Sequence, residues 1–241
     1  MTVAARADQA TKIYGSGDTA VTALDRVDLE IGEGRLTSIM GPSGSGKSTL
    51  MHCLAGLDRL TSGKMYVGET DLATLSDDDL TRLRRDRIGF VFQAYNLIPT
   101  LTAAENIELP ARIARADLDP GWRDQVIDIL DLADRLDHRP TELSGGQQQR
   151  VAAARALVRR PEIVFADEPS GNLDTNSAAE LLGFLRRAVD EFGQTIVMVT
   201  HDPAAAAYSD RVIFLRDGRP VSELVSPTVD SIFDRLKSLE T

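Results

Sequence analysis

Three glycines, a lysine and four hydroxyl residues share the nine positions Gly41-Pro42-Ser43-Gly44-Ser45-Gly46-Lys47-Ser48-Thr49, which match the spacing G-x-x-x-x-G-K-[ST]. Glycines let the backbone curl until successive N–H groups converge on phosphate oxygens, and a helix starting there adds the positive end of its dipole. Lys47 supplies a point charge to the β and γ phosphates, and Ser48 a hydroxyl ligand for Mg²⁺. Thr49 holds the helix start and the α phosphate. A glycine turn that merely caps a helix has no need of the lysine and the hydroxyl together.

Two further places carry chemistry of the same kind. Asp167 and Glu168 follow the apolar run 163–166, and an acid at the carboxyl end of a parallel strand sits on the rim where such sheets bind ligands. Asp167 suits the Mg²⁺ shell, and Glu168 suits polarising a water for in-line attack on the γ phosphate. Successive strand side chains point opposite ways, which argues for two separate jobs. His201 follows the apolar run 195–200 on the same rim. A neutral imidazole there can hydrogen-bond a γ-phosphate oxygen and the water-positioning group.

Ser144, Gly145, Gly146 and Gln147 form a capping box ahead of a helix, with two glycines that leave the helix start open to close approach. This is a second place shaped for an anion. A chain with two such cradles either binds two ligands or presents the second cradle to a nucleotide held by another copy. The residues alone leave both open.

Positioning these groups requires an α/β fold. Short apolar runs at 36–40, 88–92, 163–166, 196–199 and 212–215 read as fully buried strands of a parallel sheet, with helical stretches between them. Val27, Leu29 and Ile31 alternate with Asp28 and Glu30, as in a half-exposed strand of a small antiparallel edge sheet. From Leu97 to Val158 the period is helical and no strand is evident. Asp119 and Pro120 open an amphipathic helix there with Val126, Ile129, Leu130 and Ala133 on one face, and Trp122 in its first turn is a packing residue. After Pro227, Ile232, Phe233, Leu236 and Leu239 space a terminal helix docked on its own domain.

The 241 residues, 42% hydrophobic, suit one globular unit with a small insert. A net charge of -10 denies the chain a general attraction to nucleic acid or anionic lipid. The lone Cys53 forms no internal disulfide, so a reduced cytosol is expected. No stretch of 18 uncharged apolar residues occurs, so any membrane connection comes through a partner.

With LSGGQ standing at Leu143-Ser144-Gly145-Gly146-Gln147, the chain resembles the ATP-binding subunits of ABC transporters over nearly its whole length. The resemblance implies a P-loop NTPase core over 1–93 and 159–241, with a mostly parallel sheet and an antiparallel edge sheet, and an inserted all-helical subdomain over 94–158. Tyr14 looks like the aromatic that stacks on adenine. Gln93 looks like the glutamine that adds a ligand to Mg²⁺ and hinges the helical insert. Ser170-Gly171-Asn172-Leu173-Asp174 looks like a loop that crosses a dimer interface, placing Asp174 near nucleotide.

Such proteins use ATP and Mg²⁺ in a head-to-tail dimer that sandwiches two nucleotides, and they drive an integral membrane permease-like subunit from the cytoplasmic face. The stretches 88–110 and 143–157 look most like the subgroup of lipoprotein release, macrolide and peptide export, and cell-division signalling. Tyr95, Leu97, Ile98, Pro99 and Leu101 then form an expected docking cluster for the partner. The alternative is a soluble ABC-type ATPase not linked to transport. Those carry long coiled-coil inserts or tandem cassettes, for which this chain has no room. A nucleotide-gated module without turnover would lack the carboxylate that Glu168 provides.

Overall fold

A period of two runs through every central strand and decides which layer each side chain joins. In the computed structural model, which describes residues 2–240, the chain order begins β1 (Val3–Tyr14), β2 (Val21–Gly32), β3 (Leu36–Met40), α1 (Lys47–Leu54), β4 (Ser62–Val67) and β5 (Thr70–Asp71). It continues α2 (Asp77–Arg87), β6 (Ile88–Phe92), α3 (Ala103–Ala114), α4 (Pro120–Ile129), α5 (Gly145–Leu157) and β7 (Ile163–Asp167). Last come α6 (Thr175–Phe192), β8 (Ile196–Val199), α7 (Pro203–Ala206), β9 (Arg211–Arg216), β10 (Arg219–Val225) and α8 (Val229–Glu240). Met1 and Thr241, the outer ends of the expected core, lie outside the described residues.

The larger sheet has the order β10-β9-β3-β8-β7-β6, parallel except for the β9–β10 hairpin. On one face Ile163, Phe165, Val197 and Val199 join a core built with α1 and the antiparallel sheet β2-β1-β4-β5. On the other, Val164, Ala166, Ile196 and Met198 join a core with the helices α3 to α6. Strands buried on both faces carry mostly apolar residues, with Thr37 and Ser38 of β3 the small polar exceptions, which is why the runs were readable.

Parallel registers place the ends of these strands side by side. Asp167 pairs with Phe92 on one side and Val199 on the other, and Ile39 pairs with Val199. The loops after β3, β6, β7 and β8 therefore leave the sheet at one edge, the position that parallel α/β sheets use for ligands.

β1 is twelve residues long and no sequence signal announced it. Its inward residues are Ala4, Ala5, Ala7 and Ala10, poor strand formers, and its register shifts between Ala7 and Ala10, where Gln9 adopts φ 47°. Between β6 and β7 the described residues hold helices and no strand.

Two details of the helices differ from the expected pattern. α4 ends at Ile129 rather than running on: Asp131 turns left-handed at φ 51°, and Leu132 N–H closes the end on Ile127 O, so Ala133 is exposed. Trp122 packs as expected, 7% exposed, edge-on to Phe192 with its indole N–H on Leu157 O at 3.1 Å. In α8, Ile232 is buried with Leu236 and Leu239 packed beside it, but Phe233 is 48% exposed and so leaves the docking face.

Candidate functional site

The loop between β3 and α1 closes over its own backbone because its glycines permit it. Gly46 takes φ 97°, and a Cβ there would stand 2.3 Å from Ala23 O. Lys47 Nζ donates to Gly41 O and Pro42 O, both at 2.8 Å, which fixes the ammonium against the inside of the loop. Burial holds the Lys47 pKa below its ordinary value, against the pull of the Glu168 and Asp167 carboxylates.

Of α1 to α7, α1 alone among the described helices has no capping side chain: Ser76, Thr102, Asp119, Ser144, Asp174 and Asp202 cap the others. The first-turn amides of α1 are thus left for an external acceptor. Ser45 Oγ is buried without a hydrogen-bond partner, and Gly44 faces open space. An orphaned hydroxyl, uncapped amides and a lysine around one loop fit a phosphate chain.

The Ser48 hydroxyl, in the first turn of α1, lies near the Asp167 carboxylate at the end of β7 and helps to lower its pKa. Burial raises the Asp167 pKa, while His52 and Lys47 pull it back. A hydroxyl and a carboxylate are hard oxygen donors that suit Mg²⁺, which usually takes its remaining ligands from water and phosphate.

Glu168 is not the simple next residue of a strand. β7 stops at Asp167, and Glu168 takes the left-handed region at φ 46° with its N–H on Val199 O at 2.9 Å. Its divergence from Asp167 therefore comes from a backbone turn, not from strand alternation. Such a conformation costs a non-glycine residue on the order of 1–3 kcal/mol and persists where surrounding structure enforces it. The turn brings Glu168 Oε1 within 2.8 Å of His201 Nδ1.

A carboxylate only accepts, so Nδ1 carries the proton of this bond. A neutral ring in this tautomer has its single N–H on Glu168, and Nε2 is then an acceptor.

Gln93 follows β6 and is joined to the loop after β7. Its Nε2 donates to Asn172 Oδ1 at 3.1 Å, and Asn172 Nδ2 returns a bond to Gln93 O at 3.0 Å. Among the described contacts none ties Gln93 to Ser48 or Asp167. Asp174 caps α6, accepting from the N–H groups of Asn176 and Ser177 and from Ser177 Oγ. Tyr14, at the end of β1, is 41% exposed and held by its hydroxyl.

Ser144 Oγ accepts the Gln147 N–H at 3.2 Å and Gln147 Oε1 accepts the Ser144 N–H at 2.9 Å, the reciprocal box expected from sequence. Ser177 lies so near Gly146 that an added Cβ would meet it at 2.9 Å. No described hydrogen bond or ion pair joins this second cradle to the phosphate loop of the same chain.

Two side chains that sequence reasoning missed steady the region. Gln149, fully buried in α5, donates to Phe92 O at 3.0 Å and Pro169 O at 2.6 Å, and Arg155 donates to the carbonyls of Tyr95 and Asn96. Their partners are main-chain oxygens, which leave no trace in a motif. The expected docking cluster is divided: Tyr95 lies against Gly145 and Leu97 packs on the core, leaving Ile98 and Pro99 exposed.

A parallel sheet with a phosphate loop, an acid-tipped neighbouring strand and a glycine-opened helix defines a nucleotide triphosphatase of the cassette type. The chain belongs to the ABC transporter family, whose model matches residues 24–171. As a member it is an ATP-binding, ATP-hydrolysing component of such a transporter. An ABC transporter ATP-binding protein of Methanocaldococcus jannaschii, MJ0796, is 46% identical over 214 residues, 86% of this chain and 91% of the relative.

The macrolide export ATP-binding/permease protein MacB of Hyphomonas neptunium is 47% identical over 216 residues, 88% of this chain but 33% of that protein. The chain thus spans about a third of the macrolide exporters it matches. A dimeric structure of MJ0796 in a post-hydrolysis state, bound to ADP and Pi, superposes with a TM-score of 0.81 at 42% identity, covering 92% of this chain and 99% of that one. Among the described residues no helix is long and apolar enough to cross a membrane.

Proposed function

We propose that the chain is the Mg²⁺-dependent ATPase subunit of an ABC transporter of the export or mechanotransmission type, working as a head-to-tail dimer. The observation that carries this reading is the Glu168–His201 pair, 2.8 Å apart, on the same sheet edge as the Ser48–Asp167 pair and the phosphate loop. Lys47 and the α1 amides bind the phosphates, with Gly41, Ser43, Gly44, Ser45, Gly46 and Thr49 shaping the cradle. Tyr14 stacks on the base. Ser48 and Asp167 would hold Mg²⁺, with Gln93 reporting on the site, and the ion when bound would supply charge neutralisation to the phosphates. Glu168 accepts the proton of the attacking water, and His201 orients Glu168.

Ser144, Gly145, Gly146 and Gln147 then face the nucleotide of a second copy, with the loop that ends at Asp174 between the chains. Among the described contacts none joins them to their own phosphate loop, which supports that arrangement, as does the dimeric state of MJ0796. Core (1–93, 159–241) and helical subdomain (94–158) move against each other at Gln93.

The membrane partner is a permease-like integral subunit, which places the chain peripherally on the cytoplasmic face; nucleic acid has no part. An open groove of about 500 Å³ beside Gln93 supports this, being lined by the stacked Phe90 and Phe92 with Leu57 and Ile113, which are 46% and 67% exposed.

Glu168→Gln tests the chemical role. It keeps the side-chain shape and removes the base, so ATP binding is expected to persist while kcat falls by about 100- to 10,000-fold, measured as phosphate release. Wild-type turnover in this variant would remove Glu168 from the reaction.

A further inference from the structure

Three side chains from two separate segments, Lys12 and Tyr14 of β1 and Asp58 of the turn after α1, meet at the Asp58 carboxylate. Asp58, in the turn after α1, accepts the Tyr14 O–H with Oδ2 at 2.6 Å and the Lys12 ammonium with Oδ1 at 2.6 Å. Lys12, two residues before Tyr14 on β1, also donates to Arg59 O at 2.8 Å and stands 4.7 Å from the centre of the Tyr14 ring. Lys12 is only 13% exposed, and Asp58 30%, so this cluster is partly withdrawn from water.

Tyr14 is the last residue of β1 and is 41% exposed. An exposed aromatic at a strand end has rotamer freedom that stacking must remove at the moment of binding. Here the ring is fixed beforehand at its far end by a charge-assisted hydrogen bond. The ammonium of Lys12 lies against the ring, where the π cloud attracts it.

We infer that Asp58 is a positioning residue for nucleotide binding: it clamps the Tyr14 hydroxyl and Lys12 together and so presents the ring ready to stack. This rests on the reading of Tyr14 as the base-stacking residue. Asp58 touches no nucleotide itself and acts through Tyr14, so its loss changes affinity and not the chemical step.

The experiment measures KM and kcat for MgATP on the full chain in Asp58→Ala, Asp58→Asn, Tyr14→Phe, Tyr14→Ala and the double variant Asp58→Ala/Tyr14→Phe, with Tm as a folding check. Asp58→Ala is expected to raise KM about tenfold, the worth of one hydrogen bond to a charged group, with kcat unchanged. Asp58→Asn, which still accepts the phenol proton, falls between that variant and wild type. Tyr14→Phe added to Asp58→Ala costs nothing further, because the bond is already gone.

Asp77→Ala, which removes a surface partner of Arg59 outside this cluster, leaves KM at the wild-type value. A wild-type KM in Asp58→Ala, alongside a raised KM in Tyr14→Ala, overturns the positioning role and leaves the stacking reading intact. A wild-type KM in Tyr14→Ala removes the stacking reading, and the inference with it. A fall in kcat at unchanged KM in Asp58→Ala also overturns it.

Discussion

Lys47 donates to two carbonyls of the loop it serves, so one ammonium both braces that loop and offers its charge to phosphate. Lys47→Ala removes both effects, and ATP affinity is expected to fall by about 10- to 100-fold in equilibrium titration; undiminished affinity would contradict the assignment. At this scale the site was legible wherever chemistry restricts the residue type. Phosphate binding needs glycine, lysine and hydroxyl at fixed offsets, so residues 41–49 could be read directly. Asp58 could not, because an aspartate in a turn belongs to no pattern until Lys12 and Tyr14 fold against it. Nor could the left-handed turn at Glu168, which no property of a glutamate announces.

Among the elements, the helical insert shares a broad apolar core with the sheet and α6, and Trp122 ties α4 both to α5 and to α6 within it. Its indole N–H satisfies Leu157 O, and its ring packs on Phe192 of α6. Trp122→Phe keeps most of the ring contact and removes the indole bond, while Leu157 O keeps the Arg160 N–H, so stability is expected to drop by only about 0.5–1.5 kcal/mol in a denaturant titration. An unchanged midpoint would show that the bond contributes nothing.

Asp174 offers a pH test of a helix cap. Hydrogen bonds from Ser177 hold its pKa below the ordinary value of 3.8, so the cap's contribution is present above that value and is lost as pH falls through the lower folded one. Asp174→Asn still caps but carries no titrating group. Its Tm is expected to depend less on pH across that acid window than the wild-type Tm; parallel curves would refute the point. Strands such as β7 were legible because burial on both faces writes an unbroken apolar run. β1 was not, since its core side consists of alanines and a bulge breaks its alternation. The end of α4 was hidden because Asp131 rather than glycine makes the left-handed turn.

For the molecule as a whole, the two cradles are complementary but separate. One is an uncapped helix behind a lysine; the other is a capped helix opened by two glycines. The sequence displayed both and left open whether one chain or two completes a site, because that is a question of distance between elements and not of residue type. Mixing two inactive variants addresses it most directly. Lys47→Ala spoils the first cradle and Ser144→Arg blocks the second, so each variant alone is expected to be inactive. In a mixed dimer the intact phosphate loop of one chain meets the intact second cradle of the other. Equal mixing should restore ATPase activity to about a quarter of wild type, since half the dimers are mixed and each holds one working site of two. Mixtures that stay as inactive as their components at every ratio would contradict a site shared between chains.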